Sequence, residues 1–380
     1  LTADIKPGVD PAKVEAAIAE EWARFLKEGP SADELARSRM ASRAGFIRGL
    51  EKVGGFSGKA TVLAESQVYR GDPAAYKIDL ERIQNATPEQ VRDAAARWIA
   101  KGDYTLTVLP VAEGEDLEFG TPKGLPASAD KPAAKLPAAG EFKTVASSLD
   151  RKSGVPEVKT FPALSFPAIQ RGKLKNGIDV VLAERHTIPV VQMQLLFDAG
   201  FASDRGRTLG TSSFAMTMLD EGTQTLDSVE IARRSEMLGA QIGAGSGLDS
   251  SSASLNALKS QLPASLDLFA DVVRNPAFRM ADIERIRGQW LAAIAQEKTQ
   301  PGSIALRILP PLLYGGNHAY GIPFTGTGTE ASIKSLGAED LRAFHRDYIR
   351  PDNVQILVAG DTTLAEITAE LDRVFGNWDA

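Results

Sequence analysis

The stretch AEDLRAFHRDYIRPDNVQILVAG, residues 338–360, decides the interpretation of the fold, because it predicts an amphipathic helix followed by a buried strand. A similar stretch lies 250 positions earlier, at residues 88–110. The copies agree in residue type at these pairs: Glu89 and Glu339, Val91 and Leu341, Arg92 and Arg342, Trp98 and Tyr348, Ile99 and Ile349, and Tyr104, Leu106 and Val108 with Val354, Ile356 and Val358. Two unrelated amphipathic helices before strands are the alternative. We interpret the match as two copies of one domain, the first lacking its front half.

The sequence outside the repeat divides into three parts. Residues 1–110 are predicted to be mostly helical and to end in the strand Tyr104–Leu109, as the incomplete back part of a first domain. Residues 111–168 are rich in proline and alanine and are predicted to be an interdomain linker, with a long functional loop as the alternative. Residues 169–380 alternate strands with helix pairs, which predicts a complete α+β domain with helices packed on a mostly antiparallel sheet.

Composition excludes several classes of protein. The chain has 380 residues, enough for two or three cores, and its 43% hydrophobic and 24% charged residues are typical of globular proteins. It has no cysteine, which excludes disulfides, thiolate metal sites and cysteine nucleophiles. A net charge of −6 argues against a nucleic-acid partner, and no apolar run of about 18 residues predicts a membrane span. The chain starts at Leu1 without a leader pattern, so we expect that its original beginning has been removed.

A search for catalytic motifs finds no self-sufficient set. Zinc hydrolases carry two histidines and a glutamate on one helix, but His186, His318 and His345 are widely separated and are interpreted as ordinary surface or loop residues. The Gly54–Lys59 loop superficially resembles a phosphate-binding loop, yet it lacks the first glycine and the final serine or threonine of that motif and follows a helix. The pair Asp220-Glu221 is interpreted as solvated capping at a helix end, and no GxSxG elbow is present.

Several short motifs in residues 170–380 occur in a characteristic order. They are Leu174-Lys175-Asn176-Gly177-Ile178, Asp198-Ala199-Gly200, Arg205-Gly206, Gly210-Thr211, Leu219-Asp220-Glu221-Gly222-Thr223, Asn275-Pro276-Ala277-Phe278, Leu313-Tyr314-Gly315, His318-Ala319-Tyr320-Gly321, Tyr348-Ile349-Arg350-Pro351-Asp352-Asn353 and Val358-Ala359-Gly360-Asp361. This order resembles the M16, or pitrilysin-like, zinc metallopeptidases, which include mitochondrial processing peptidase and insulin-degrading enzyme. The resemblance implies a repeated LuxS/mitochondrial-processing-peptidase-like metallohydrolase fold.

The resemblance also implies where the family's zinc site would lie. In active members the helix after Gly-Thr carries an HxxEH motif, and the matching positions here are Ser213, Met216 and Thr217. The third ligand, a glutamate on a later helix, falls near Ala293. The resemblance therefore implies a degenerate M16 repeat at residues 169–380, without metal-binding, cofactor-binding or catalytic residues of its own, and zinc only in the full-length parent.

The function implied is that of a non-catalytic part of an M16 zinc metalloendopeptidase. It would form part of the wall of a chamber that encloses unfolded or extended peptides, while an absent first domain hydrolyses them. The implied partner is the catalytic M16 half, in the same chain or in another subunit. The alternative is a non-catalytic partner or structural subunit of a two-chain M16 complex. An exported or periplasmic bacterial location suits a cysteine-free chain of this type.

Overall fold

The protein is described by a computed structural model at residues 1–6, 8–56, 58–102, 104–108, 152, 154, 157, 159–161 and 163–379. Two compact units are present, one formed by Leu1–Ala100 with Pro167–Ala380 and the other by Lys101–Phe166. The linker predicted at 111–168 lies largely outside the described residues. Among the residues that are described, no helix is both long and apolar enough to cross a bilayer.

The larger unit contains thirteen α-helices and six strands within its described residues. The helices are α1 Pro11–Glu28, α2 Ala32–Gly49, α3 Lys59–Arg70, α4 Tyr76–Asn85, α5 Pro88–Trp98, α6 Thr211–Thr217, α7 Ser228–Leu238, α8 Leu262–Arg274, α9 Met280–Glu297, α10 Pro301–Tyr314, α11 Glu330–Ser335, α12 Ala338–Tyr348 and α13 Leu364–Phe375. The strands are β1 Ile169–Lys173, β2 Asp179–Glu184, β3 Val190–Phe197, β4 Gln241–Ser246, β5 Ser251–Leu258 and β6 Val354–Gly360.

The six strands form one sheet in the order β1-β2-β6-β3-β5-β4. All neighbouring pairs are antiparallel except β2 and β6, which are parallel. The β1–β2 hairpin turns at Asn176-Gly177, where Gly177 has a φ of +92°, a conformation that glycine adopts without steric cost. The predicted α+β fold, with helices on a mostly antiparallel sheet, is confirmed.

The hydrophobic core lies between one face of the sheet and the helices that follow it. Alternate strand residues such as Val180, Leu195 and Ile356 point into this layer and are fully buried. From the helices, fully buried aromatic side chains complete it: Phe214, Phe269, Phe344 and Phe375. The opposite face carries small and polar side chains along β3, β4 and β5, with Val181 and Leu357 on β2 and β6, so the two faces differ in chemical character.

The helical part of the internal repeat has the same bounds in both copies, because α5 and α12 are offset by 250 positions at each end. The strand part differs. Residues 104–108 are not in a strand, so the strand predicted at Tyr104–Leu109 is wrong over its described part. Tyr104 and Val108 are more than 80% exposed, and no described strand pairs with them. A strand needs a hydrogen-bonded neighbour, and this segment has none among the described residues.

Smaller differences concern short helices. Helix α6 is short, since it spans Thr211–Thr217 and a separate 3-10 turn follows at Leu219–Glu221. The sequence pattern predicts no helix at the positions of α4 and α11. Both are at most ten residues long, and α11 has only one fully buried side chain, Ile333, so their apolar periodicity is weak.

Candidate functional site

Helix α6, which carries Ser213, Met216 and Thr217, begins at a tightly constrained glycine. Gly210 has a φ of +91°, and a Cβ atom there would lie 2.8 Å from the side chain of Ile333. Glycine is therefore required both by backbone conformation and by close packing. This constraint explains why a glycine stands directly before the helix, and it fixes the direction in which α6 leaves the loop.

A buried carboxylate fastens the first turn of α6. Asp204 is 1% exposed; its Oδ2 accepts a hydrogen bond from the Gly210 amide at 2.8 Å and its Oδ1 accepts from the Ser212 amide at 3.0 Å. The Ser212 hydroxyl also donates to Oδ1. Burial raises the pKa of Asp204 to about 6, against the opposing effect of these donors. Asp204 was not identified from the sequence, because it lies six residues before Gly210 and reaches the first turn of α6 only through the fold of the intervening loop.

The positions that the resemblance assigns to the zinc site lie on two helices. Ser213 and Met216 on α6 are buried and Thr217 is half-buried, whereas Ala293 on α9 is exposed. The two helices meet through an edge-on aromatic contact between Phe214 and Trp290, whose ring centroids are 5.4 Å apart. The structure thus places three positions on one short helix and the fourth on a helix that contacts it.

The side chains at these positions do not fit zinc. Zinc sites in proteins use imidazole, thiolate or carboxylate ligands, whereas the groups here are two hydroxyls, a thioether and a methyl group. Within the described residues there is also no group of three or more histidine, cysteine, aspartate or glutamate side chains that could hold a metal ion. The donor chemistry therefore supports neither metal binding nor water activation at Ser213, Met216, Thr217 and Ala293.

A polar network holds the segment 325–328 beside α6 and α9. The Arg307 guanidinium donates to Glu297 Oε2 at 2.5 Å, to Thr327 Oγ1 at 3.0 Å and to the Gly328 carbonyl at 2.7 Å. The indole of Trp290 donates to the Thr327 carbonyl at 3.0 Å. Only 11% of the Arg307 side chain and 18% of the Glu297 side chain are exposed. The Arg307–Glu297 ion pair was not identified from the sequence, because its two members lie on different helices.

Three histidines occupy separate environments. His345 was interpreted as a surface or loop residue, which is wrong: it is half-buried on α12, and its Nε2 lies 2.7 Å from the Val273 carbonyl. Burial lowers the pKa of His345. His186 is exposed and lies 2.6 Å from the Asp361 carboxylate, and His318 stacks on Tyr314.

Along β3, β4 and β5 the open face of the sheet is lined by small and polar side chains, and Val181 and Leu357 add apolar groups beside them. Gln192 and Gln194 on β3 lie opposite Asn256 and Ser254 on β5, and Gly243 on β4 lies opposite Ser254. A shallow cavity of about 610 Å³ covers this part of the sheet. Amide and hydroxyl groups of this kind offer both hydrogen-bond donors and acceptors to a ligand with a peptide backbone.

Two family models match the chain. The model of the insulinase family, peptidase family M16, matches residues 179–320, and the model of the peptidase M16 inactive domain matches residues 335–380. Among curated proteins, an uncharacterized zinc protease of Bacillus subtilis, YmxG, is 27% identical over 212 residues, which cover 56% of this chain and 51% of that protein. The mitochondrial-processing peptidase subunit beta of Rattus norvegicus is 26% identical over 214 residues, covering 56% and 43%.

Solved structures give the same result. The peptidase M16 inactive domain from Pseudomonas fluorescens superposes with a TM-score of 0.52 at 32% identity, covering 55% of this chain and 50% of that one. The periplasmic protease PqqL from Escherichia coli has a TM-score of 0.51 at 17% identity, covering 57% and 25%, and shares the fold. The chain thus spans about half the length of the curated relatives that it matches.

Proposed function

We propose that residues 169–380 are a non-catalytic repeat domain of an M16-type peptidase. This proposal starts from the membership of the chain in the M16 peptidase family. The proposal rests on the donor set on α6 and α9, where hydroxyl, thioether and methyl groups stand at the positions that the resemblance assigns to the family's zinc ligands and catalytic glutamate. Residues 1–110 are, in this proposal, the back part of the preceding domain.

The role proposed for the domain is to enclose substrate. The open sheet face presents amides, hydroxyls and small side chains, which can pair with an extended backbone without demanding a particular sequence. The proposed occupant of this face is therefore an unfolded or extended peptide. Hydrolysis, and the zinc that the named zinc proteases among the relatives imply, belong in this proposal to a catalytic half outside these residues.

Metal analysis and peptide hydrolysis test the catalytic part of the proposal. We expect the purified chain to hold no stoichiometric zinc and to cleave no unfolded peptide. One tightly bound zinc per chain, or turnover that survives repeated purification, would contradict it.

A gain-of-binding variant tests the positions themselves. The triple substitution Ser213→His, Thr217→His and Ala293→Glu supplies a two-histidine, one-carboxylate ligand set and leaves the buried Met216 unchanged. We expect this variant to bind zinc at least tenfold more tightly than a control that carries the two histidines but keeps Ala293. Equal affinities would show that Ala293 does not occupy the third-ligand position.

Photo-crosslinking tests the enclosing face. A photoreactive amino acid at the exposed position Gln192, on the open face, is compared with the same residue at Gln296, which is exposed on α9. We expect an unfolded peptide to crosslink at Gln192 several times more efficiently than at Gln296. Comparable yields at both positions would argue against peptide binding on the sheet.

A second candidate function is a non-catalytic subunit of a two-chain peptidase. It is favoured by the name of the rat relative, which describes that protein as a subunit. Purification from the native source separates the two proposals. An HxxEH-containing half in the same polypeptide supports the first, and co-purification with a separate HxxEH-containing chain supports the second.

A further inference from the structure

Helix α2 approaches the repeat domain at an unusually close contact. Gly239, which ends α7, has a φ of +60°, and a Cβ atom on it would lie 2.9 Å from the Ala44 Cβ and 3.2 Å from the Met40 Cγ. Ala44 is only 1% exposed although it lies on a helix whose neighbouring positions are mostly exposed. Two small residues thus allow the backbones of α2 and α7 to meet.

Arg48, one turn further along α2, anchors the contact by capping. Its guanidinium donates to the Asn256 Oδ1 at 2.7 Å, to the Asn256 carbonyl at 3.0 Å and to the Gly239 carbonyl. The Gly239 carbonyl belongs to the C-terminal end of α7, where the helix dipole favours a cation. Arg48 is the only α2 side chain with hydrogen bonds to both α7 and β5 among those of the described residues.

Charges of opposite sign face each other along the rest of the contact. Arg37 lies 3.2 Å from Glu236, Asp33 lies 3.1 Å from Arg233, and Glu51 lies 2.7 Å from Arg185. Each exposed pair contributes little to stability, about 0–1 kcal/mol. The three pairs instead fix the position of α2 along the surface, because a helix shifted along its axis would bring like charges together.

A small apolar cluster lies between these polar contacts. Ala44 from α2 is buried against Val190 and Leu258 at the end of the sheet, with Met40, Ile47 and Ile188 packed around them. From Asp33 to Arg48 the contact extends over about 15 helical steps, roughly 23 Å, and Glu51 follows just after the end of α2. Apolar burial, helix capping and charge pairing therefore all act on one helix face.

We infer that the surface formed by the C-terminal end of α7, the neighbouring residues of β3 and β5, and Arg185 is a docking site for a helix with the α2 pattern, and that it binds this helix without help from the covalent connection. The helix that binds there is defined by its chemistry. It needs a small residue that packs against Gly239 and, four residues later, an arginine that donates to the carboxyl end of α7. It also needs flanking charges opposite in sign to Arg233, Glu236 and Arg185. The proposed occupant is α2 of the same chain. This inference does not depend on the proposed function.

Cleavage of the connecting segment tests the inference on the folded full-length chain. A specific protease site is inserted between Ala127 and Pro132, the protein is cut, and the two pieces are examined by size-exclusion chromatography and native mass spectrometry. We expect a 1:1 complex of the pieces. Elution as separate pieces at micromolar concentration would overturn the inference.

Matched variants identify the site. Arg48→Glu is compared with Arg43→Glu, which makes the same charge change on an exposed position of α2. We expect Arg48→Glu to weaken the association of the cut pieces at least tenfold and Arg43→Glu to change it less than threefold. Equal effects of the two substitutions would overturn the assignment.

A charge exchange tests the docking geometry even if Arg48→Glu disturbs folding. Glu51 and Arg185 pair with each other, so Glu51→Arg or Arg185→Glu alone places like charges together. We expect each single change to weaken association of the cut pieces several-fold and the double exchange to restore it to within twofold. Failure of the double exchange to restore association would overturn the docking geometry.

Discussion

Replacement of Asp204 by alanine is the sharpest test of how α6 is held. The substitution leaves the Gly210 amide, the Ser212 amide and the Ser212 hydroxyl without their acceptor in a site that is 1% exposed. A buried donor that loses its partner costs about 1–3 kcal/mol. We therefore expect Asp204→Ala to lower the free energy of unfolding by about 4 kcal/mol at pH 5, which is a large part of the stability of a typical domain.

The cost should depend on pH in a direction set by the raised pKa of Asp204. Because this pKa is about 6 in the folded protein and near 3.8 in the unfolded chain, the folded state binds the extra proton between these values. Stability from this group is therefore present at low pH and is lost as pH rises toward 6. The wild type alone loses about 1.4 kcal/mol between pH 5 and pH 7.5, so the cost of Asp204→Ala should be smaller at pH 7.5 by that amount.

Urea unfolding followed by tryptophan fluorescence measures both effects, because Trp290 contacts Phe214 on α6. Asp227→Ala serves as the control: Asp227 caps α7 at an exposed site by accepting a hydrogen bond from the Glu230 amide at 2.8 Å, and its loss should cost about 1 kcal/mol. A cost for Asp204→Ala no greater than that of the control, or one that grows with pH, would refute the reasoning.

Three further substitutions probe other parts of the domain. Glu297→Ala leaves the Arg307 guanidinium without its carboxylate in a largely buried site and should destabilise the fold by about 3 kcal/mol in urea unfolding; a loss below 1 kcal/mol would mean that solvent replaces the pair. Gly326→Val forces a β-branched residue to a φ of +71° with Phe201 2.8 Å from its Cβ, so the melting temperature should fall by several degrees, and an unchanged value would contradict this. Thr363→Ala removes the capping box of α13 and should cost about 1 kcal/mol; a neutral result would show that solvent caps the helix equally well.

The sheet and the longer helices were predictable because their signals are local. The Asn176-Gly177 turn and the alternation of buried residues along β3 lie within a few positions of each other. The strand expected at Tyr104–Leu109 failed for the opposite reason. Its local pattern suits a strand, but strand formation requires a neighbour elsewhere in the chain, and composition cannot supply that information.

The helix at the positions assigned to the zinc site was predictable, but its supporting contacts were not. The motif order located Ser213, Met216 and Thr217 on a helix, and the structure has α6 there. The contacts of Asp204 and of Arg307 with Glu297 depend on how loops and helices meet in space. The docking of α2 joins residues about 200 positions apart, such as Arg48 and Asn256, and no periodicity in the sequence indicates such a pair.

The complete burial of Met216 has a consequence for the history of the domain. If this position once held a catalytic glutamate, the surroundings have since closed over an apolar side chain. Reversion to glutamate would now place an ionisable group in that interior without a partner, at a cost of several kcal/mol. The single step Met216→Glu would thus be selected against before any activity returned.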